Sequence, residues 1–222
     1  MTVDYLPVIM DIDHPHPDLV QWSAERFEAL NNRHVHIVRR EQFPSSAQAV
    51  HKGYLYAWIW DVVPKTTKRV MFLSSYVVPL RPLPQIPDAS FVAARDAKGY
   101  AEAVSFKYPI VARNGFFNKS FFVARRDTTP IFDQLKATAV DKSTADPTHG
   151  DFGQTPFNLL VQSSLDVTWL PHSCNTILLC SRPEAALTAS ILNLCALPMN
   201  TCWVLMNLFR TALGLSELPK AE

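Results

Sequence analysis

The densest group of side chains able to bind a cation or a phosphate comes early in the chain. Residues 5–10 form a short apolar run, and Asp11, Asp13, His14 and His16 follow it directly. Alternate side chains of an extended segment point the same way, so Asp11 and Asp13 could share a cation with a histidine. The same residues could instead cap the helix that follows or face water, and both interpretations remain open.

Several other catalytic patterns are missing from the sequence. It has 17 prolines and only six glycines, and neither a GxGxxG motif nor a Walker-type loop, so a Rossmann dehydrogenase or a P-loop ATPase is not supported. The cysteines, Cys174, Cys180, Cys195 and Cys202, include no CxxC pair, which argues against a zinc ribbon or a thioredoxin. Ser74 lacks the Gly-x-Ser-x-Gly elbow of a hydrolase.

Composition and charge narrow the class of protein further. The 222 residues are 48% apolar and 18% charged, which is typical of a packed globular chain with a full core. The net charge is +1 and no basic run is present, so nucleic acid is not an expected partner. The first ten residues carry an acid and a proline where a secretory signal would be basic and then apolar, so we expect a cytoplasmic protein with free thiols.

The elements that must position these side chains alternate between strand and helix patterns. In the first 75 residues we predict strands at 5–10, 34–38 and 69–73 and helices at 17–30 and 45–60. Aromatic residues recur at every second position from Tyr54 to Trp60, so a strand is the alternative there. This order is typical of an α/β sheet with parallel pairing. Beyond it we predict strands at 91–94, 116–124 and 167–170 and helices at 128–138 and 156–162.

The C-terminal part of the sequence is unusually apolar. Residues 185–209 carry no charge and are long enough to cross a bilayer, but Pro198 and several asparagines divide them. Two packed helices therefore fit as well as one spanning helix. We predict a main domain at 1–182 and an apolar helical extension at 183–222. Whether that extension packs on the domain, on a second copy or another partner, or on a membrane stays open.

Four motifs resemble, in order and spacing, those of glycogenin-like glycosyltransferases of family 8. Residues 69–83, RVMFLSSYVVPLRPL, resemble the family's strand, Asp-x-Asp and "VVLRPL" segment. Asp96 follows the next predicted strand, and residues 117–123, FNKSFFV, resemble "FNSGVFV". Residues 153–158, GQTPFN, stand where the family has "DQxxxN", and residues 170–175, LPHSCN, where it has "LPxxYN".

The resemblance spans roughly residues 5–180 and implies a fold, a donor and a set of functional residues. The implied fold is α/β and GT-A-like, with a mixed, mostly parallel sheet flanked by helices. The implied donor is a nucleotide-sugar, plausibly UDP-linked, used with retention. The implied catalytic residues are Asn118, Asp151 and Gln154. The implied donor-binding residues are Asp11, Asp13, Ser74, Tyr76, Asp96, Lys119 and Asn158.

The sequence departs from the family at the residues that would hold a divalent cation. Ser74, Ser75 and Tyr76 stand at the Asp-x-Asp positions, and neutral hydroxyls are poor ligands for Mg²⁺ or Mn²⁺. The family's C-terminal His-x-x-Gly-x-x-Lys-Pro-Trp segment is also missing, and Gly153 replaces an Asp. We therefore expect the usual metal site to be lost.

Two functions are compatible with these departures. In the first, the protein transfers a sugar to an unidentified acceptor, and cationic side chains supply the charge that the metal would supply. The candidates for that role are Lys52, Arg81, Arg95, Arg113 and Lys119. In the second, the protein is a catalytically inactive pseudo-glycosyltransferase that binds a nucleotide, a sugar or a protein partner.

Overall fold

The computed structural model describes residues 4–12, 14, 16–96, 115–143, 153–178, 183–194 and 199–212. Its strands are β1 (Leu6–Asp11), β2 (His36–Arg39), β3 (Arg69–Leu73), β4 (Val77–Pro79), β5 (Phe91–Arg95), β6 (Phe117–Arg125), β7 (Thr168–Leu170), β8 (Thr176–Ile177) and β9 (Ile191–Asn193). Its α-helices are α1 (Pro17–Asn31), α2 (Ser45–Gln48), α3 (Ile59–Val62), α4 (Thr129–Ser143), α5 (Gln154–Ser164), α6 (Pro183–Thr188) and α7 (Met199–Ala212).

Six strands form a main sheet in the order β2-β1-β3-β6-β5-β7. Strand β1 pairs in parallel with β2 and β3, and β5 pairs in parallel with β7. Only β6 runs against its neighbours, β3 and β5. The predicted mixed, mostly parallel sheet is therefore confirmed. The carboxyl ends of β1, β2, β3, β5 and β7 and the amino end of β6 share one edge, which we call the carboxyl edge.

Both faces of the main sheet are covered, which explains why β3 is buried throughout and apolar after its first residue. On one face α4, α5 and residues 52–62 pack an aromatic core in which the rings of Phe72 and Phe122 are 5.1 Å apart. On the other face α1 contributes Val20 and Phe27. This helix begins at Pro17 and ends where Asn32 adopts a left-handed conformation with φ of 51°, close to the predicted bounds.

The predicted helix at 45–60 is wrong as one continuous element. The chain forms α2, then a 3₁₀-helix at Lys52–Trp58, then α3. Residues 54–60 are all buried, whereas a regular amphipathic α-helix would expose one face. The alternating aromatics that suggested a strand instead belong to a tightly wound segment buried against the core.

A second, three-stranded sheet has the order β4-β9-β8, with β9 antiparallel to β4 and parallel to β8. The sequence predicted a helical extension at 183–222, where β9 lies, and β9 was missed because three buried residues are too short to show a strand period. Helix α7 packs Cys202 and Met206 against this sheet and against Trp22 of α1. Within the described residues, no helix combines the length and the apolar character that crossing a membrane requires.

Candidate functional site

The carboxyl edge brings together most of the polar residues that the sequence singled out. Asp11 ends β1, Ser74 follows β3 and Asp96 follows β5, while Asn118 and Lys119 lie at the amino end of β6. Parallel strands place their carboxyl ends at one edge, and the reversed β6 adds its beginning to the same edge. Ligand sites of open α/β sheets form outside this edge, so it is the candidate site.

One part of the site is a group of hydrogen-bonded polar side chains that joins β5, β6 and α5. Gln154 donates from Nε2 to Asp96 Oδ2 at 2.8 Å, and its Oε1 accepts from the backbone N–H of Lys119 at 3.3 Å. Asn118 Oδ1 accepts from the backbone N–H of Ser120 at 2.9 Å. We call Asp96, Asn118, Gln154 and Asn158 the amide network.

Asn158 is the fully buried anchor of the amide network. Its Oδ1 accepts from the backbone N–H of Phe117 and its Nδ2 donates to the carbonyl of the same residue, both at 2.9 Å. The Nδ2 also donates to the carbonyl of Gln154 at 3.0 Å. One side chain thus satisfies both backbone groups of the first residue of β6 and holds α5 against it. The neighbouring Asn118 and Lys119 are positioned as a result.

The other part of the site is the turn after β3, formed by Ser74, Ser75 and Tyr76, which we call the hydroxyl segment. The backbone N–H of Ser74 donates to the carbonyl of Ser120 at 2.9 Å, which extends the pairing of β3 with β6. The carbonyl of Tyr76 accepts from the backbone N–H of Leu194 at 2.9 Å. The turn is therefore tied to the main sheet at one end and to the second sheet at the other.

The tyrosine of the hydroxyl segment packs on a histidine that follows β1. The ring centroids of Tyr76 and His14 are 5.1 Å apart. Burial, together with the nearby Cys202, raises the pKa of Tyr76, so its hydroxyl remains protonated at neutral pH. A protonated phenol and two serine hydroxyls do not suit a hard divalent cation, so we derive no chemical step through a metal here.

His14 is a buried, neutral imidazole at the carboxyl edge. Its burial, chiefly, lowers its pKa to about 4, against about 6.5 for a free histidine. Its Nδ1 accepts from the backbone N–H of His16 at 3.1 Å, and its buried Nε2 has no hydrogen-bond partner. From the sequence, this residue was included only among the possible ligands of a cation or a phosphate.

The acidic residues of the first cluster are not gathered into a ligand set where the structure describes them. Asp11 has Oδ2 3.9 Å from Nε of Arg39, its register partner on β2. Asp13 and Asp151, both predicted site residues, lie outside the described part of the chain. Among the described residues, no three histidine, cysteine or acidic side chains are grouped closely enough to hold a metal ion.

Two tyrosines of the alternating aromatic run at 54–60 also shape the site. Tyr56 donates from its hydroxyl to the carbonyl of Gly153 at 3.0 Å, and a Cβ at Gly153 would lie 2.8 Å from Cε1 of Tyr54. Gly153 also has a φ of 79°, which favours glycine. The rings of Tyr54 and Tyr56 therefore occupy the space that a side chain at residue 153 would need. In the sequence, this arrangement was indicated only by a glycine shortly before a predicted helix.

Lys119 connects the amide network to the 3₁₀-helix at Lys52–Trp58. Its Nζ donates to the carbonyl of Gly53 at 2.6 Å and lies 5.0 Å from the ring centroid of Tyr56. His51 Nδ1 accepts from the backbone N–H of Gly53 at 3.1 Å. The ammonium group is thus held at the carboxyl edge by a backbone carbonyl and an aromatic face. Lys52 was singled out from the sequence as a candidate cation, but the contributions of His51 and Gly53 were not predicted.

Several solved structures of glycosyltransferases are similar to this chain. One, involved in glycosylation of the major capsid of the virus PBCV-1, is 13% identical with a TM-score of 0.59, and the match covers 91% of this chain and 99% of that one. Mouse xyloside xylosyltransferase 1 is 14% identical with a TM-score of 0.52, covering 88% of this chain and 99% of that one.

A third similar structure is the glycosyltransferase GlyE of Streptococcus pneumoniae, 12% identical with a TM-score of 0.56, covering 98% of this chain and 66% of that one. No protein-family model and no curated protein sequence matches the chain. The fold is therefore that of the GT-A glycosyltransferases, as the sequence resemblance implied, and the identities of 12 to 14% establish the fold alone.

Proposed function

We propose that the protein is a retaining, glycogenin-like family 8 glycosyltransferase that uses a nucleotide-sugar, UDP-linked, and needs no divalent cation. The observation that carries the proposal is the 2.8 Å hydrogen bond between Gln154 and Asp96. It joins the two side chains that the resemblance assigns to the acceptor face and to the donor sugar. Their preorganisation at the carboxyl edge of a GT-A sheet is what transfer of the sugar from donor to acceptor requires.

Each residue of the amide network has a role in this proposal. Asp96 and Asn118 bind hydroxyl groups of the donor sugar, and Gln154 with Asp151 lines the face from which the acceptor hydroxyl attacks. Asn158 is a positioning residue, because its hydrogen bonds go to the backbone of Phe117 and Gln154. When the bond to the anomeric carbon breaks, negative charge grows on the departing diphosphate, and positive side chains stabilise it.

The test is calorimetric titration of UDP-sugars into the full chain with EDTA present, followed by measurement of released UDP. We expect saturable heat and slow UDP release. Asp96→Asn keeps the volume and an oxygen acceptor for Gln154, yet it removes a charge-assisted bond to the sugar. We expect it to weaken binding by about tenfold.

Asp127→Asn is the matched control, because Asp127 lies at the opposite end of β6, where it pairs with Arg125. It should bind UDP-sugars like the wild type. If no nucleotide-sugar binds, with or without Mn²⁺, the glycosyltransferase proposal is wrong.

A second candidate function is that of an inactive pseudo-glycosyltransferase that binds a partner. The observation in its favour is an apolar surface in the C-terminal region, where Leu187, Val204 and Leu208 are 71%, 46% and 58% exposed. Saturable UDP-sugar binding without any UDP release, for all donors tried, would favour this candidate over the first.

A further inference from the structure

Two lysines from different elements lie close to Gly53 at the carboxyl edge, Lys119 through a hydrogen bond and Lys52 as its neighbour in sequence. Lys119 of β6 has its ammonium 2.6 Å from the carbonyl of Gly53, and Lys52 immediately precedes that glycine at the start of the 3₁₀-helix. Lys119 is partly buried and Lys52 is exposed. We call these two residues the lysine pair.

The lysine pair lies next to the position where an Asp-x-Asp motif would hold a cation. Ser74 donates its backbone N–H to the carbonyl of Ser120, and Lys119 is the residue directly before Ser120 in β6. At the other end of the hydroxyl segment, the ring of Tyr76 packs on His14. The lysines and the hydroxyl segment thus border the same part of the edge, where β1, β3 and β6 are adjacent.

The electrostatic surroundings of two histidines agree with a local excess of positive charge. Burial lowers the pKa of His51, and the charges of Lys52, Lys119 and Arg40 lower it further. Lys52 also contributes to the lowered pKa of His14, although burial dominates there. Both histidines are therefore biased towards the neutral form, and the positive charge at this place is carried by the lysines.

Two other positively charged candidates in the described residues, Arg95 and Arg81, contact other parts of the protein. Arg95 packs its guanidinium 4.7 Å from the ring centroid of Trp169, on the β7 side of β5 and away from β3. Arg81 donates from Nη2 to the carbonyl of Leu187 at 2.6 Å, beside α6. Arg113 lies outside the described residues.

We propose that Lys119 and Lys52 bind the diphosphate of the donor, in the place that a divalent cation would otherwise take. The inference rests on the proposed function, in which the protein binds a nucleotide-sugar donor. It specifies which side chains neutralise the negative charge of the donor's diphosphate. Ammonium groups are strong point-charge partners for phosphate oxygens. The hydrogen bond to Gly53 and the faces of Tyr54 and Tyr56 fix Lys119 before the ligand arrives, which lowers the entropy lost on binding.

The test compares the affinities of uridine, UMP and UDP in EDTA, by calorimetry, for the wild type and three variants. Wild-type affinity should rise along this series as phosphates are added. Lys119→Met should weaken UDP binding by about tenfold or more, leave uridine binding unchanged, and so flatten the series. Lys52→Met should act in the same direction with a smaller effect because its ammonium is exposed. Lys65→Met, an exposed lysine near the amino end of β3, should match the wild type.

Lys119→Met also removes a link to Gly53, so Lys119→Arg is a further variant that retains the charge and should keep most of the UDP affinity. Lys52→Met tests the inference without disturbing that link. If Lys52→Met and Lys119→Met bind UDP as the wild type does, the inference is wrong while the proposed function stands. If the wild type binds UDP only with Mn²⁺, both the inference and the metal independence of the proposed function are wrong. An equal loss of uridine and UDP affinity in both variants also overturns it. If no uridine compound binds at all, both proposals fail.

Discussion

The amide network and the hydroxyl segment occupy neighbouring parts of one edge, but different forces hold their side chains. In the amide network, Asn158 and Gln154 are fixed by directional hydrogen bonds to backbone and carboxylate groups. In the hydroxyl segment, Tyr76 is held by ring packing on His14 and by burial. The first arrangement keeps the polar residues of the family resemblance, and the second replaces its acids. One edge of the sheet can therefore keep the polar side chains of the resemblance in one half while the chemistry of its other half differs.

The largest expected effect is on the amide network. Asn158→Leu leaves the buried N–H and carbonyl of Phe117 without partners, and we expect it to lower the free energy of unfolding by about 4 kcal/mol. Chemical denaturation measures this. Ser163→Ala, at an exposed position of the same helix, should change stability by less than about 0.5 kcal/mol. A loss below about 1 kcal/mol for Asn158→Leu would show that the hydrogen bonds of Asn158 do not hold the amide network in place.

The next effect concerns acid stability and arises at His14, on which Tyr76 of the hydroxyl segment packs. The folded pKa of His14 is about 4, below its unfolded value of about 6.5, so the unfolded state binds more protons between these pH values. Stability should therefore fall as the pH is lowered from about 6.5 to about 4, with about 3 kcal/mol from this residue. Denaturation curves across this range test the prediction.

His14→Gln should remove this part of the pH dependence, and His34→Gln, at an exposed position, should keep it. An unchanged pH profile in His14→Gln would show that the burial of this imidazole does not set the acid stability.

A smaller effect is expected where the family acid is replaced by glycine. Gly153→Asp places a Cβ against Tyr54 at a positive φ, and we expect a loss of about 2 kcal/mol. A double-mutant cycle with Tyr54→Ala separates the steric contact from the backbone strain. We expect Gly153→Asp to lower stability less in the Tyr54→Ala background than in the wild type, because the steric contact is then absent. If Gly153→Asp is as stable as the wild type, contact with the two tyrosines does not explain why residue 153 is a glycine.

The smallest effect is expected for the phenol of Tyr76. Its ring packs on His14, so Tyr76→Phe should change stability by less than about 0.5 kcal/mol, whereas Tyr76→Asp should lose about 2 kcal/mol of apolar burial. Thermal unfolding compares the two variants. Equal stability of Tyr76→Asp and the wild type would mean that packing does not hold this segment.

Much of the fold could be predicted from local pattern. The bounds of α1 follow from Pro17 and Asn32, and the carboxyl-edge positions of Asp96 and Ser74 follow from the strands before them. The tightly wound segment at 52–58 and the strand β9 could not be predicted. Both are buried by residues that are distant in sequence, and local periodicity gives no information about such contacts.

The sequence by itself determined most strands of the main sheet, its mixed and mostly parallel character, and the hydroxyl side chains at residues 74–76. Only the tertiary structure decided which residues meet: Gln154 with Asp96, Tyr76 with His14, and Lys119 with Gly53. The reason is physical. Propensity and apolar spacing act along the chain, whereas hydrogen bonds, ring contacts and burial depend on distances between residues that are far apart in sequence.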